Sequence, residues 1–139
     1  MTTPESIDSV AALSDGKAGH EAQALGVAER LSAAPAIWRV PPRRGFARIY
    51  RPQLAGLTTP GGGAPDPTSA RLIVACGAAT ARPAAALRAR GATVVFLQKP
   101  PGDPRRFDLI AAPAHDRFAA PNAIETVGAP NRVTPARLA

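Results

Sequence analysis

The amino-acid sequence predicts an α/β fold in which helices cover a mostly parallel sheet. Short apolar runs alternate along the chain with segments of helical periodicity, which is typical of strands joined by crossover helices. Hydrophobic residues make up 45% of the 139 residues and aromatic residues only 4%, so the core is built from small and aliphatic side chains. The 16 prolines and 12 glycines lie mostly between the apolar runs, as expected of loops.

The first part of the chain contains two predicted strands around one helix. Residues 8–13 form the first apolar run and are predicted as a strand. Residues 21–33 are predicted as a helix, because their alanine, valine and leucine residues recur at the spacing of one helix face. Pro35 ends this helix, and residues 36–40 are predicted as the second strand.

Four more strands are predicted in the second part of the chain, together with one clear helix. The third strand, residues 71–76, leads through Gly77 to a helix that begins near Pro83, since proline suits a first helical turn. Gly91 is a suitable residue after the end of that helix. The remaining predicted strands are residues 93–97, 107–112 and 123–127, and residues 58–69 are predicted as a surface loop.

The last six residues have the composition of a helix start. Thr134 is a suitable N-cap, Pro135 suits the first helical position, and helix-forming residues follow. Since a domain seldom ends one turn into a helix, we expect one domain over residues 1–133. Residues 134–139 would then begin the connection to a second domain that this sequence lacks.

The charge and cysteine content exclude several classes of protein. The net charge of +7 comes from 17 basic residues spread along the chain without a recognition motif, so we expect no nucleic-acid partner. An acidic small molecule or an anionic membrane surface suits basic loops equally well. The single cysteine, Cys76, cannot form an intrachain disulfide, and the two histidines lack metal-ligand spacing, so we expect no metal site. With neither a secretion signal nor a membrane span, the protein is expected in the cytoplasm.

Polar residues gather after the predicted strands, at the edge where open parallel sheets bind ligands. Both histidines and both lysines of the chain belong to this group. The group consists of Asp15, Gly16, Lys17, Gly19 and His20 after the first strand, Gly77 and Thr80 after the third, Gln98 and Lys99 after the fourth, His115 and Asp116 after the fifth, and Gly128 and Asn131 after the sixth.

The loop after the first strand is the strongest single element of the predicted site. Its glycines allow a sharp turn, and the following helix offers free N–H groups to an anion. It matches neither a Walker loop nor a dinucleotide fingerprint. The alternative is a plain turn whose Lys17 and His20 are solvated. For His115 and Asp116, the alternative is that they only end a strand and start a helical turn.

A resemblance extends over nearly all of the chain. The run Leu-Ser-Asp-Gly-Lys-Ala-Gly-His-Glu-Ala-Gln-Ala-Leu-Gly at residues 13–26, and the run Phe-Asp-Leu-Ile-Ala-Ala-Pro-Ala-His-Asp at residues 107–116, resemble the elongated-mitochondria (mitochondrial fission) family, in its bacterial branch. The sequence departs from the family at Ala22 and Ala114, where Asn and Glu are common, so no role is assigned to those two positions. The resemblance adds Gln23 and Asn122 to the substrate-binding candidates.

The resemblance implies the N-terminal, acceptor-side half of a two-domain GT-B glycosyltransferase fold. It implies transfer from a nucleotide-sugar donor to an envelope or lipid-linked acceptor. The second domain would hold most of the donor, so this half would bind no cofactor tightly and would be inactive alone. His20 is the implied catalytic residue, and we hypothesise that Asp15 orients it.

The resemblance also leaves a non-catalytic function open. Plant relatives are associated with recruiting a dynamin-related GTPase to mitochondria, so the alternative is an adaptor that recruits a partner protein. The polar edge favours an enzyme, since an adaptor needs no ordered polar site. A nucleotide-sugar epimerase is excluded, because Tyr50 lacks the lysine four residues later that this chemistry requires.

The connector after the second strand is rich in arginine. Its basic and aromatic residues suit either a solvated connector or a peripheral contact with anionic lipid at the inner membrane. The membrane-contact candidates are Arg43, Arg44, Phe46, Arg48 and Arg51.

Overall fold

The computed structural model describes residues 9–41, 54 and 56–126. The strands are β1 (Val10–Ser14), β2 (Ala36–Arg39), β3 (Leu72–Cys76), β4 (Thr93–Leu97), β5 (Leu109–Pro113) and β6 (Ala123–Thr126). The α-helices of these residues are α1 (Ala18–Leu31) and α2 (Ala81–Ala89). All six strands lie in one sheet in the order β2-β1-β3-β4-β5-β6, and every neighbouring pair is parallel. The predicted Rossmann-like α/β fold is confirmed.

The strand order reverses between β1 and β3. The chain passes from β1 to β2 on one side and then returns to β3 on the other side of β1. The last residues of the two strands, Ser14 and Cys76, are direct partners in the sheet, so β1 and β3 end at the same level. Such a reversal opens a crevice beyond the carboxyl ends of the strands, where doubly wound sheets bind ligands.

Helix α1 covers one face of the sheet through small side chains. Ala24 and Ala28 are fully buried against β1 and β3, where they pack with Ala12 and Val74. The helix begins at Ala18, three residues earlier than predicted. Lys17 is extended and its carbonyl accepts the first helical hydrogen bond, from Glu21 N–H at 3.0 Å. His20 therefore belongs to the first helical turn rather than to the loop.

The other face of the sheet carries the larger core. Trp38, Phe96 and Ile110 pack there with Leu87 of α2. Phe96 also contacts Phe107, with ring centroids 4.8 Å apart. Phe107 was predicted as the first residue of a strand, but β5 begins only at Leu109. Phe107 is buried in the core just before the strand begins. It is apolar because it is buried, although it is not part of the strand.

The predicted surface loop of residues 58–69 is tied to the sheet at its start. Thr58 and Arg39 exchange two backbone hydrogen bonds, of 2.8 and 3.0 Å. A short 3₁₀ turn, Ala78–Thr80, precedes α2, so helical structure begins before the predicted Pro83. Gly91 follows α2 with a φ of +104°, which is the left-handed conformation expected of a glycine just after the end of a helix.

Three groups of sequence predictions lie outside the described residues. They are the arginine connector with its membrane-contact candidates, Gly128 and Asn131 after the sixth predicted strand, and the predicted helix start at residues 134–139. No helix in the part of the chain that the structure describes is long and apolar enough to cross a membrane.

Two isoleucines on neighbouring strands provide a test of where the core lies. Ile110 on β5 is fully buried, whereas 51% of Ile124 on β6 is exposed. We expect Ile110→Ala to lower the free energy of unfolding by about 2–5 kcal/mol, because a buried cavity is created. The same change at Ile124 should cost under about 1 kcal/mol. Urea denaturation of both variants measures this difference, and equal losses would contradict the described packing.

Candidate functional site

Asp15 and His20 form a hydrogen-bonded pair at the crevice between β1 and β3. Asp15 follows β1 directly, and a left-handed turn at Gly16, with a φ of +85°, leads into α1. The His20 Nδ1 atom lies 2.8 Å from Asp15 Oδ2. The other carboxylate oxygen, Oδ1, accepts the backbone N–H of Lys17 at 3.0 Å. The carboxylate is therefore held from two sides.

This pairing fixes the chemistry of the histidine ring. A carboxylate accepts hydrogen bonds, so His20 Nδ1 is the donor, and Nε2 of the neutral ring keeps its lone pair. The Asp15 side chain is only 9% exposed, whereas His20 retains 27% of its surface. The pair is thus anchored at the buried end and accessible at the imidazole.

Gly77, the residue after β3, closes the crevice against this pair. Its φ is +110°, a conformation that side chains rarely adopt. A Cβ atom built at Gly77 would lie 2.7 Å from Asp15 Oδ2 and 3.0 Å from His20 Nδ1. Both the backbone conformation and the space therefore require glycine here.

A second network fixes the first turn of α1. Glu21 accepts Ser14 Oγ–H at 2.9 Å and binds the Arg39 guanidinium through Nε at 2.7 Å and Nη2 at 3.0 Å. Hydrogen bonding to Glu21 raises the pKa of Arg39 above its ordinary value. These contacts join the ends of β1 and β2 to the residue that follows His20 in the chain.

Neither Glu21 nor Arg39 is among the residues that the sequence predicts at the site. Arg39 is the last residue of β2 and lies at the same edge of the sheet, but it falls inside the predicted strand of residues 36–40, so a rule that counts the residues after each strand passes over it. The pairing itself could not be read from the sequence, because 18 residues separate the two partners.

Cys76 lies beneath the site as a buried thiol. Its Sγ atom is 3.6 Å from Gln23 Oε1 and 3.9 Å from Gln98 Oε1, so its single S–H can donate to either amide oxygen. Burial raises the pKa of the Cys76 thiol to about 12, and the nearby Asp15 charge acts in the same direction. Cys76 therefore stays protonated at neutral pH and is no nucleophile. Gln23, a substrate-binding candidate, reaches the end of β3 at this position.

The other candidates near the crevice differ in exposure. Lys17 and Gly19 are exposed at the start of α1. Thr80 is fully buried, and its hydroxyl donates to the Gly77 carbonyl at 2.7 Å, so it supports the turn at Gly77.

Three candidates form a separate group after β4 and β5. The Lys99 backbone N–H donates to Asp116 Oδ2 at 3.1 Å, and His115 Nε2 lies 3.4 Å from Asp116 Oδ1. The His115 side chain is 74% exposed. Since three strand spacings separate β1 from β5, this group lies roughly 14 Å along the edge from the aspartate–histidine pair.

Asn122 lies at the opposite edge of the sheet from the other candidates. It directly precedes β6, and its Nδ2 donates to the carbonyls of Pro104 and Phe107, each at 2.9 Å. The structure thus does not bring Asn122 to the crevice. Its side chain instead holds the turn that leads into β5.

The arrangement at the crevice suits proton transfer. A histidine oriented by a buried carboxylate can take a proton from a hydroxyl group through Nε2. Among residues 9–41, 54 and 56–126, no three histidine, cysteine or carboxylate side chains form a group that could hold a metal ion.

Comparison with known proteins relates most of the chain to one family. A family model described as mitochondrial fission ELM1 matches residues 18–139. The match includes His20 and Gly77 but begins after Asp15, Gly16 and Lys17. The searches of curated proteins and of solved structures gave no match.

The close approach at Gly77 can be tested against Gly91. Both glycines have a positive φ, of +110° and +104°, but a Cβ at Gly91 would meet no atom within 4 Å. Each change to alanine should cost about 1 kcal/mol or more from backbone strain. Gly77→Ala should cost roughly 1–3 kcal/mol beyond Gly91→Ala, because Asp15 or His20 must move. Thermal and urea unfolding measure both variants; equal losses would show that the crevice tolerates a side chain at position 77.

The Cys76 thiol should resist alkylation in the folded protein. At pH 8, raising its pKa from 9.0 to about 12 lowers the thiolate fraction about a thousandfold. Iodoacetamide labelling followed by mass spectrometry should therefore be slow in buffer and fast in urea. The chain has one cysteine, so the label is unambiguous. Fast labelling of the folded protein would contradict the described burial.

The same thiol should also make stability depend on pH. The folded protein holds its proton more tightly than the unfolded chain, so the stabilisation is fully present below about pH 9 and is lost toward pH 12. The free energy of unfolding should fall more steeply across this range in the wild type than in Cys76→Ala. Parallel slopes for the two proteins would contradict the shifted pKa.

Proposed function

The chain belongs to the mitochondrial fission ELM1 family, and on that premise we propose that it is the acceptor-side half of a glycosyltransferase-like enzyme. The donor would be a nucleotide sugar, held mostly by a second domain in a GT-B arrangement. The acceptor would be an envelope or lipid-linked molecule that presents a hydroxyl group. The single observation that carries this proposal is the 2.8 Å contact between His20 Nδ1 and Asp15 Oδ2 at the strand-order reversal.

In the proposed reaction, His20 acts as a general base. Its Nε2 takes the proton of the acceptor hydroxyl while that oxygen attacks the anomeric carbon of the sugar. The bond between that carbon and the diphosphate oxygen breaks, and the nucleoside diphosphate leaves with the bonding electrons. Asp15 keeps Nδ1 protonated before the reaction and stabilises the imidazolium that forms.

The surrounding contacts support this role because they restrict how His20 can move. Gly77 closes one side of the pair, and Glu21 fixes the helical turn through Ser14 and Arg39. A general base is effective when it is held within hydrogen-bond reach of the proton it takes.

The second candidate function is an adaptor, which the family description favours because it names mitochondrial fission. An adaptor would recruit a partner protein through its surface and would not need His20 to accept a proton. Variants of the Asp15–His20 pair therefore separate the two functions. They would lower transfer strongly in an enzyme and leave partner recruitment intact in an adaptor.

The proposed base can be tested in the full-length protein. We expect His20→Ala to lower turnover by roughly 10²-fold or more, because the acceptor hydroxyl loses its base. Asp15→Asn should also lower turnover, since an amide can present its N–H to Nδ1 and favour the wrong tautomer. Release of nucleoside diphosphate from a panel of sugar nucleotides, with lipid-linked acceptors, measures turnover.

Arg30→Ala is the matched control for these variants. Arg30 is exposed in the last turn of α1, at the far end of the helix that carries His20. It should keep both turnover and melting temperature. Full turnover in His20→Ala, or a variant that only unfolds, would assign His20 a structural role.

A further inference from the structure

A second cleft lies beside α2, next to the turn that follows Gly77. It has a volume of about 680 Å³ and opens between the start of α2 and the loop that follows β4. Arg82 and Arg106 supply its positive charges, and we call it the Arg82–Arg106 cleft. Cavities of several hundred Å³ are the usual size of small-molecule sites.

Arg106 is held in place by two backbone carbonyls and an aromatic ring, all of which are uncharged. Its Nη2 donates to the Pro101 carbonyl at 2.8 Å, its Nε donates to the Asp103 carbonyl at 3.4 Å, and its guanidinium lies 5.7 Å from the centre of the Phe107 ring. A Cβ at Gly102 would lie 2.9 Å from Nη2, so the loop closes on the guanidinium without room for a side chain. The cation is therefore preorganised.

The one carboxylate at the cleft already has a cationic partner. Asp103 binds Arg105 through Nη2 at 3.0 Å and also accepts Arg105 Nε. In the described part of the chain, neither Arg82 nor Arg106 forms an ion pair with a carboxylate. The balance of charge in the cleft is thus positive, which favours an anion.

The positive surface continues along α2. A neighbouring cavity of about 540 Å³ shares Arg82 and Arg106 with the cleft and adds Arg90. Leu54 and three alanine side chains of α2 form the rest of this wall. No aromatic ring lines either cavity among the described residues, so the walls lack an aromatic surface for stacking a nucleobase.

We propose that the Arg82–Arg106 cleft binds a phosphate or diphosphate group. Guanidinium groups match the geometry of phosphate oxygens and bind them through paired N–H donors. The phosphate would come either from a soluble molecule or from a lipid headgroup, and both sources present the same chemistry. The proposal does not depend on His20 being catalytic, since the cleft is built from other residues.

Binding of inorganic pyrophosphate to the protein tests the proposal. Isothermal titration at low salt should show saturable binding to one site. Arg82→Gln should weaken it about tenfold or more, because one charged donor is lost. Arg71→Gln removes the same charge from an exposed residue that precedes β3, at the opposite edge of the sheet, and should change the affinity less than about twofold.

Two further measurements complete the test. Arg106→Gln, checked for folding by circular dichroism, should weaken pyrophosphate binding as Arg82→Gln does. Co-sedimentation with phosphatidylglycerol vesicles, with and without pyrophosphate, distinguishes the two sources of phosphate. If the protein sediments with the vesicles, needs Arg82 to do so and is released by pyrophosphate, the ligand is a lipid headgroup. If the protein binds pyrophosphate but does not sediment with the vesicles, the ligand is a soluble phosphate. Absence of saturable pyrophosphate binding, or equal weakening by Arg71→Gln and Arg82→Gln, would overturn the proposal.

Discussion

The close contact between the end of β3 and the Asp15–His20 pair is the constraint on which the rest of the site depends. The pairing of Ser14 with Cys76 brings β1 and β3 to the same level, so Gly77 meets the carboxylate and the imidazole directly. A side chain at position 77 would force the carboxylate or the imidazole to shift, so the glycine allows the pair to keep its place against β3. The contacts of Ser14 with Glu21 then hold the helical turn that carries the histidine.

The net charge of the chain does not show where positive charge is available, but the distribution of arginines with and without a carboxylate partner does. Arg39, Arg88 and Arg105 each bind a carboxylate and stabilise a turn or a helix. Arg82 and Arg106 have no such partner within the described residues, and both lie at one cleft. The fold thus brings two of the 17 basic residues together as a local positive surface.

Much of the fold could be predicted because buried parallel strands are continuous apolar runs. Residues 93–97 were predicted with the bounds that β4 has, and the ligand edge followed from the order of strands and loops. The contact between Asp15 and His20 could be hypothesised from the sequence because the two residues are five positions apart, within one strand–helix unit. The Arg39–Glu21 pair depends on the register of β2 against β1, which the sequence pattern does not contain. Asn122 was a candidate only because it belongs to a family motif, and the motif does not show that its side chain holds a turn at the far edge of the sheet.

The position of the site within the chain also determines where the protein can vary in length. Residues 59–69 leave the sheet after the Thr58–Arg39 hydrogen bonds and return to it before β3, and the entropy of closing such a loop rises only about 0.6 kcal/mol for each doubling of its length. Insertions there would leave the crevice intact over evolutionary time. An insertion between Asp15 and His20 has a different effect, because one residue rotates a helix by about 100°. That short segment therefore has little freedom to change length, whereas the loop of residues 59–69 can diverge between homologous proteins.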